Sequence, residues 1–206
     1  MKKTELITQL QGVSQWINQK GWCPATGGNF SARMDEQHFL ITASGCDKGQ
    51  LKKTGFLLSN LQGEILGSQR LPSAEMPVHA FLYETLPEAS AILHTHSITA
   101  TVFSRAAQGK AWPISGYEMQ KSISGYNNHT DMLLLPILNN SQDMTELVAA
   151  LSETMQNHTV PFGFLVRGHG LYAWGEDLAT ARRHLEGLEF LIACELSQLQ
   201  LQPNKA

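Results

Sequence analysis

The sequence predicts a mixed α/β (α+β) fold, a single domain over residues 1–206 with a largely antiparallel sheet. Three observations carry that reading. Short apolar or alternating runs bounded by turn residues recur along the chain, as at 30–33, 38–42, 56–59 and 64–66. Amphipathic stretches at helical spacing open and close it. No repeat, linker or low-complexity segment divides its 206 residues, and at 42% hydrophobic they suffice for one full core.

Charged residues make up 16% of the chain and the net charge of -3 forms no block, which argues against a nucleic-acid face. Met1-Lys2-Lys3 is basic, but residues 4–20 are polar and helix-periodic and lack the continuous apolar region of a secretory signal. No stretch approaches the roughly 20 apolar residues that span a bilayer. The expectation is a soluble cytoplasmic protein with no membrane partner. Cys23, Cys46 and Cys194 are odd in number and widely spaced, as reduced thiols are.

Leu6, Ile7, Leu10, Val13 and Ile17 recur at helical spacing, with Thr4 to cap the start and Gly21 to end the turn, and predict a first helix. In Ala25-Thr26-Gly27-Gly28-Asn29 the paired glycines let backbone amides approach a ligand and Asn29 offers an amide, although alone this is an ordinary turn. The strands 30–33 and 38–42 follow. Ala43-Ser44-Gly45-Cys46-Asp47-Lys48-Gly49 is a second small-residue loop, able to nest a phosphate but without nucleotide-loop spacing. Residues 56–59 and 64–66 flank 60–63 as a hairpin. Pro72-Ser73-Ala74-Glu75 opens a helix carrying Val78 and Leu82, with Glu75 and His79 four residues apart; Glu75 reads here as a carboxylate favoured by the helix dipole. The apolar run into His94 and His96 predicts a strand, 98–107 a helix, and 112–114 the start of an irregular segment. Residues 118–121 read as a short turn on which Glu118 and Lys121 form a solvated pair. Residues 132–138 predict a strand, placed at an edge by Pro136. Then come a helix at 144–155, strands at 162–166 and 171–174, and a long helix at 178–201 with the apolar face Leu185, Leu188, Ile192 and Leu196.

His94 and His96 lie two residues apart in a strand, so both side chains face one way, roughly 6–7 Å apart at Cα. An isolated His-x-His is ordinarily a plain strand pair. A catalytic zinc site takes three protein groups and keeps one position open. His169, in Arg167-Gly168-His169-Gly170, is the best third ligand, since flanking glycines allow tight backbone beside it. Three neutral imidazoles on Zn2+ leave an electrophile that polarises a carbonyl or hydroxyl oxygen and favours loss of the neighbouring proton. Such chemistry needs a carboxylate as acid/base, and the chain offers Glu75 and Glu118. With the loops around Asn29 and Ser44 as a phosphate seat, the parts suggest a zinc lyase for a phosphorylated ketose. His38, His158 and His184 read as surface or helix residues, and His129 as part of a solvated loop.

With the histidines, Pro72-Ser73-Ala74-Glu75 and Ala25-Thr26-Gly27-Gly28-Asn29 in place, the sequence resembles the class II aldolase/adducin family. The resemblance covers nearly the whole chain, from Gly21 to the last helix, with the motifs in family order. It implies a class II aldolase-like three-layer α/β/α domain, one Zn2+ per subunit on His94, His96 and His169, and a homotetramer with sites between subunits. Within the family the likeness is to a branch that dehydrates a phosphorylated ketose. It is carried by His94-Thr95-His96-Ser97, Glu118-Met119-Gln120-Lys121 and Arg167-Gly168-His169-Gly170-Leu171-Tyr172-Ala173-Trp174-Gly175. That likeness gives the acid/base role to Glu118, whereas sugar-phosphate aldolases use the glutamate of a Ser-Ser-Glu motif that reads Ser73-Ala74-Glu75 here. By motif position it makes Asn29, Ser44, Gly45 and Ser73 phosphate-seat residues and Lys121 an anion partner. The alternatives are a class II sugar-phosphate aldolase or pentulose-phosphate 4-epimerase, favoured by Glu75 and the glycine loops, and a non-catalytic adducin-like module, which the intact histidine set argues against.

Overall fold

Strands whose residues alternate between two apolar faces must be covered on both sides, and that requirement sets the architecture. The computed structural model describes residues 2–201, so Met1 and residues 202–206 of the expected domain lie outside the described residues. Nine strands are β1 (Asn29–Arg33), β2 (His38–Thr42), β3 (Phe56–Asn60), β4 (Ile65–Leu66), β5 (Ala91–Thr95), β6 (Ala111–Ile114), β7 (Leu133–Leu138), β8 (Gly163–Val166) and β9 (Gly170–Gly175). They form one sheet in the order β4-β3-β2-β1-β5-β9-β8-β7-β6. Every neighbouring pair is antiparallel except β7 with β8.

Five helices pack on the sheet: α1 (Lys3–Gln19), α2 (Met76–Thr85), α3 (Ile98–Ala106), α4 (Met144–Asn157) and α5 (Leu178–Leu201). On one face Phe30, Leu93, Leu171 and Ala173 join Leu10 of α1, Phe103 of α3 and Leu188 of α5. On the other, Ile92, Phe164, Tyr172 and Trp174 meet Leu82 of α2 and Leu151 of α4. Successive residues of β5 and β9 therefore belong to opposite helical layers, and the mixed fold with its largely antiparallel sheet is the one the sequence predicts.

Three local readings are corrected. The first helix begins at Lys3 with Lys2 at its N-cap and no side-chain cap, so Thr4 sits inside the first turn; Gly21, at φ +74, does follow the last turn. Residues 111–114 are a strand rather than irregular. Pro113 is tolerated there because β6 is outermost and has a single neighbour. β7 is not an edge strand; it lies between β6 and β8. Its Pro136 fits because N–H directions alternate along a strand. Ile137 N–H donates to Lys110 O on the β6 side, so the nitrogen of Pro136 faces β8, whose ladder with β7 starts only at Ile137 and Leu165. Among the described residues no helix is long and apolar enough to cross a membrane, and all three cysteines are free.

Candidate metal centre

Pairing of β5 with β9 does most of the assembly. Their register sets His94 opposite Tyr172 and Thr95 opposite Leu171, which brings the tight turn between β8 and β9 beside the residues that follow β5. The backbones approach so closely that a Cβ on Gly170 would overlap Thr95 O; only glycine fits. His94 is fully buried and stacks on Tyr172, ring centroids 3.9 Å apart. His96 N–H donates to Trp22 O at 2.8 Å, and His169 N–H to Val166 O at 3.0 Å, so backbone bonds fix both. Glu75 occupies the N-cap of α2 but makes no side-chain cap bond. Its carboxylate turns to the histidines instead, which corrects the helix-dipole reading.

The three Nε2 atoms converge, with His94 to His96 at 2.8 Å, His96 to His169 at 3.0 Å and His94 to His169 at 3.4 Å. Glu75 Oε1 lies 3.0 Å from His169 Nε2 and 3.3 Å from His94 Nε2. All four ligand atoms fall within 4.8 Å of one another. Bonds of about 2.05 Å from a tetrahedral ion would set such atoms about 3.3 Å apart, close to these spacings. His94 Nδ1–H donates to Leu171 O at 3.1 Å, which leaves its Nε2 lone pair facing inward. Glu75 Oε1 is buried without a hydrogen-bond donor, a costly state for a carboxylate oxygen unless a cation meets it. Burial, then the neighbouring His94 and His169, hold His96 down at about 3, so its imidazole is neutral and able to ligate. Burial favours a protonated Glu75, but His94 and His169 more than reverse it and keep the carboxyl ionised. These donors fit a divalent ion.

A buried polar chain orients Glu75 from behind. Tyr83 OH donates to Ser31 Oγ at 2.8 Å, and Ser31 Oγ–H to His79 Nδ1 at 2.7 Å. His79 Nε2–H donates to Asn29 Oδ1, and Asn29 Nδ2 to Glu75 Oε2. The directions are consistent throughout when His79 is neutral, and burial holds it at about 3. Under the opposite face, Thr95 Oγ1 and Ser97 Oγ donate to the Glu189 carboxylate of α5 at 3.1 and 2.8 Å. Ser97 also caps α3 by accepting from Ala100 N–H.

Of the residues predicted for a site, Asn29, Ser44, Gly45, Ser73 and Glu75 line one cavity with His96 and His169. Its empty volume, about 870 Å³ with the open mouth included, is of the size that takes a small phosphorylated sugar. Glu118 and Lys121 do not line it. They sit on an exposed turn (Glu118–Ser122) and pair with each other at 2.5 Å, and Lys121 lowers the Glu118 carboxyl. The turn is held against α5, on the opposite layer from α2, with Ser122 beside Gly187. Within one chain the structure thus does not bring Glu118 to the histidines. Sequence reading missed Glu75 as a fourth member of the cluster, His79 as its support, and Lys48 as a lining residue. The four-residue spacing of Glu75 and His79 was the available signal, but it pointed to a direct pair rather than to a link through Asn29.

A family model described as the class II aldolase and adducin N-terminal domain matches residues 8–196. The chain belongs to this family. Class II aldolases use a divalent metal, and here Glu75, His94, His96 and His169 form a cluster able to hold one. A methylthioribulose-1-phosphate dehydratase of Serratia proteamaculans is 48% identical over 202 residues, covering 98% of this chain and 99% of the relative. One from Yersinia enterocolitica is 49% identical over 204 residues, covering 99% and 97%. The crystal structure of L-fuculose-1-phosphate aldolase from Thermus thermophilus matches with TM-score 0.77 at 25% identity, covering 98% of this chain and 99% of that one.

Proposed function

We propose that the chain is a methylthioribulose-1-phosphate dehydratase. It removes water from 5-methylthioribulose 1-phosphate to give 2,3-diketo-5-methylthiopentyl 1-phosphate, a step of methionine salvage, in the cytoplasm and with residues 1–206 as one catalytic domain. The observation that carries this reading is 48–49% identity to enzymes of that name along nearly the whole of both chains. His94, His96 and His169 hold one Zn2+ per subunit, and Glu75 is the fourth group facing it. When bound, the ion supplies Lewis-acid polarisation of the substrate's C2 carbonyl, which acidifies C3. Glu118 handles the proton traffic between C3 and the departing C4 hydroxyl. Asn29, Ser44, Gly45 and Ser73 seat the phosphate. Glu118 and Lys121 stand apart from their own cavity, so in this reading they complete the cavity of a neighbouring subunit in a homotetramer, Lys121 as an anion partner.

The test is incubation of metal-loaded protein with methylthioribulose 1-phosphate, followed by mass spectrometry for the dehydrated diketone. A second reading, a sugar-phosphate aldolase or pentulose-phosphate 4-epimerase, is favoured by Glu75, which sits against the histidines while Glu118 does not. Absence of the diketone together with cleavage of fuculose 1-phosphate or epimerisation of a pentulose phosphate would replace the first reading with the second.

A further inference from the structure

Lysine is rarely buried without a carboxylate, because desolvating an ammonium costs several kcal/mol that carbonyl dipoles only partly return. Lys48 is 3% exposed, yet among the described residues no carboxylate lies within 4.0 Å of its Nζ. The adjacent Asp47 is turned away and accepts from Gly49 N–H instead. Lys48 Nζ donates to Thr26 O at 2.8 Å and to Cys46 O at 3.0 Å. These two bonds use two of its three protons, and no third acceptor lies within reach among the described residues. The backbone under it is fixed by α1, where Ser14 Oγ–H donates to Lys48 O and Gln11 to Leu51 O.

The two carbonyls belong to the two glycine loops, both of which line the cavity. The first holds Ala25 and Thr26 in succession at φ +50 and +68, a left-handed conformation that non-glycine residues keep only when their surroundings impose it. Lys48 is one such constraint. It also lines the cavity beside Gly28, Asn29, Ser44, Gly45 and Ser73, all of which offer only neutral hydrogen-bonding groups. Among the cavity's lining residues it is the lone lysine or arginine.

We propose that Lys48 is the cation of the phosphate seat, tying the two glycine loops together and directing its remaining proton to a substrate phosphate oxygen. This rests on the reading of the substrate as a phosphorylated ketose. A charged donor facing a phosphate is among the stronger hydrogen bonds, and on a side chain as buried as that of Lys48 its charge is screened less than at the surface. The neutral groups would set the orientation of the phosphate, and Lys48 would supply affinity and reject unphosphorylated ketoses.

Lys48→Gln keeps two N–H donors for the loop carbonyls and removes the charge. The expected result is a KM for the phosphorylated ketose raised about 30- to 100-fold with kcat within about threefold, bound metal unchanged, and rescue in Lys48→Arg. A readout independent of turnover is protection by inorganic phosphate, which should raise the melting temperature of the parent protein and of Lys48→Arg but not of Lys48→Gln. Equal phosphate protection in Lys48→Gln and parent would overturn the proposal. Should the variants fail to fold, a crystal structure of the unsubstituted protein with phosphate decides: Nζ hydrogen-bonded to a phosphate oxygen supports it, and Nζ beyond 4 Å sinks it. If the parent makes no diketone while phosphate protection still depends on Lys48, the dehydratase reading fails and this one stands. The reverse pattern leaves the dehydratase without Lys48 as its cation.

Discussion

Replacing Glu189 with Gln should make the protein more stable above neutral pH and change it little in mild acid. Glu189 is 3% exposed and accepts hydrogen bonds from Thr95 and Ser97. Burial raises its carboxyl from 4.5 to about 7, with the two hydroxyls opposing the rise. The folded protein therefore keeps a proton that the unfolded chain releases. The stability linked to that proton is present in full below pH 4.5 and is lost as pH climbs to about 7. At roughly 1.4 kcal/mol per pH unit, the ionised carboxylate costs about 1 kcal/mol at pH 5 and about 3 kcal/mol at pH 8. Glutamine has the same shape and no charge to bury. Its amide can serve both hydroxyls, since each of them donates or accepts. The assay is urea denaturation of chelator-treated protein at fixed subunit concentration, at both pH values, for parent and variant. Metal must be absent, because its need for neutral imidazoles carries a pH dependence of its own. The variant should gain about 2 kcal/mol more at pH 8 than at pH 5. A stability difference that is the same at both pH values would refute the account of Glu189 as a buried carboxyl that ionises at a cost.

His96→Ala should lower the zinc retained after chelator treatment, as measured by metal analysis, since it leaves two imidazoles and Glu75 of the four grouped donors; full retention would remove His96 from the ligand set. Glu118→Gln should keep metal and fold while turnover falls by about 100- to 10,000-fold, the usual worth of a general acid/base. Near-normal dehydration there would move the role to Glu75. Gly170→Ala should cost more than about 3 kcal/mol in denaturant unfolding, because the new methyl overlaps the backbone oxygen of Thr95 and no rotamer relieves it. A loss below about 1 kcal/mol would show that β5 and β9 can separate there.

Much of the architecture is written in short-range pattern. The apolar runs of β5 and β9 and the apolar face of α5 survive in the fold, because each side of the sheet has to be covered. The three histidines were legible for a similar reason: a strand spacing and a glycine-flanked turn are local. Glu75 was legible as a candidate acid/base but not as a member of the histidine cluster, since a carboxylate at a helix start has an adequate local explanation, and only the packing of α2 across β1 turns it inward. β6 was missed because its two-residue apolar signal is interrupted by Pro113, and its pairing depends on β7. The burial of Lys48 and Glu189 follows from where α1 and α5 dock, which no window around either residue contains. Glu118 is carried on an exposed turn whose Ser122 packs beside Gly187 of α5, a placement that the local spacing of Glu118 and Lys121 does not contain.

β9 lies between β5 and β8, and that placement has a consequence for the order in which the protein comes into being. During synthesis, the strand bearing His94 waits with one edge unpaired while about seventy further residues emerge, because its second neighbour is the last strand made. Until β9 inserts, that edge is open to pairing with other chains, and His169, carried on the turn just before β9, has no counterpart to meet. Convergence of all three histidines is therefore a late event, coupled to sheet closure. A chain stalled or cut before residue 169 has the first two of these histidines and no cluster, and assembly of the cluster reports that the sheet has closed.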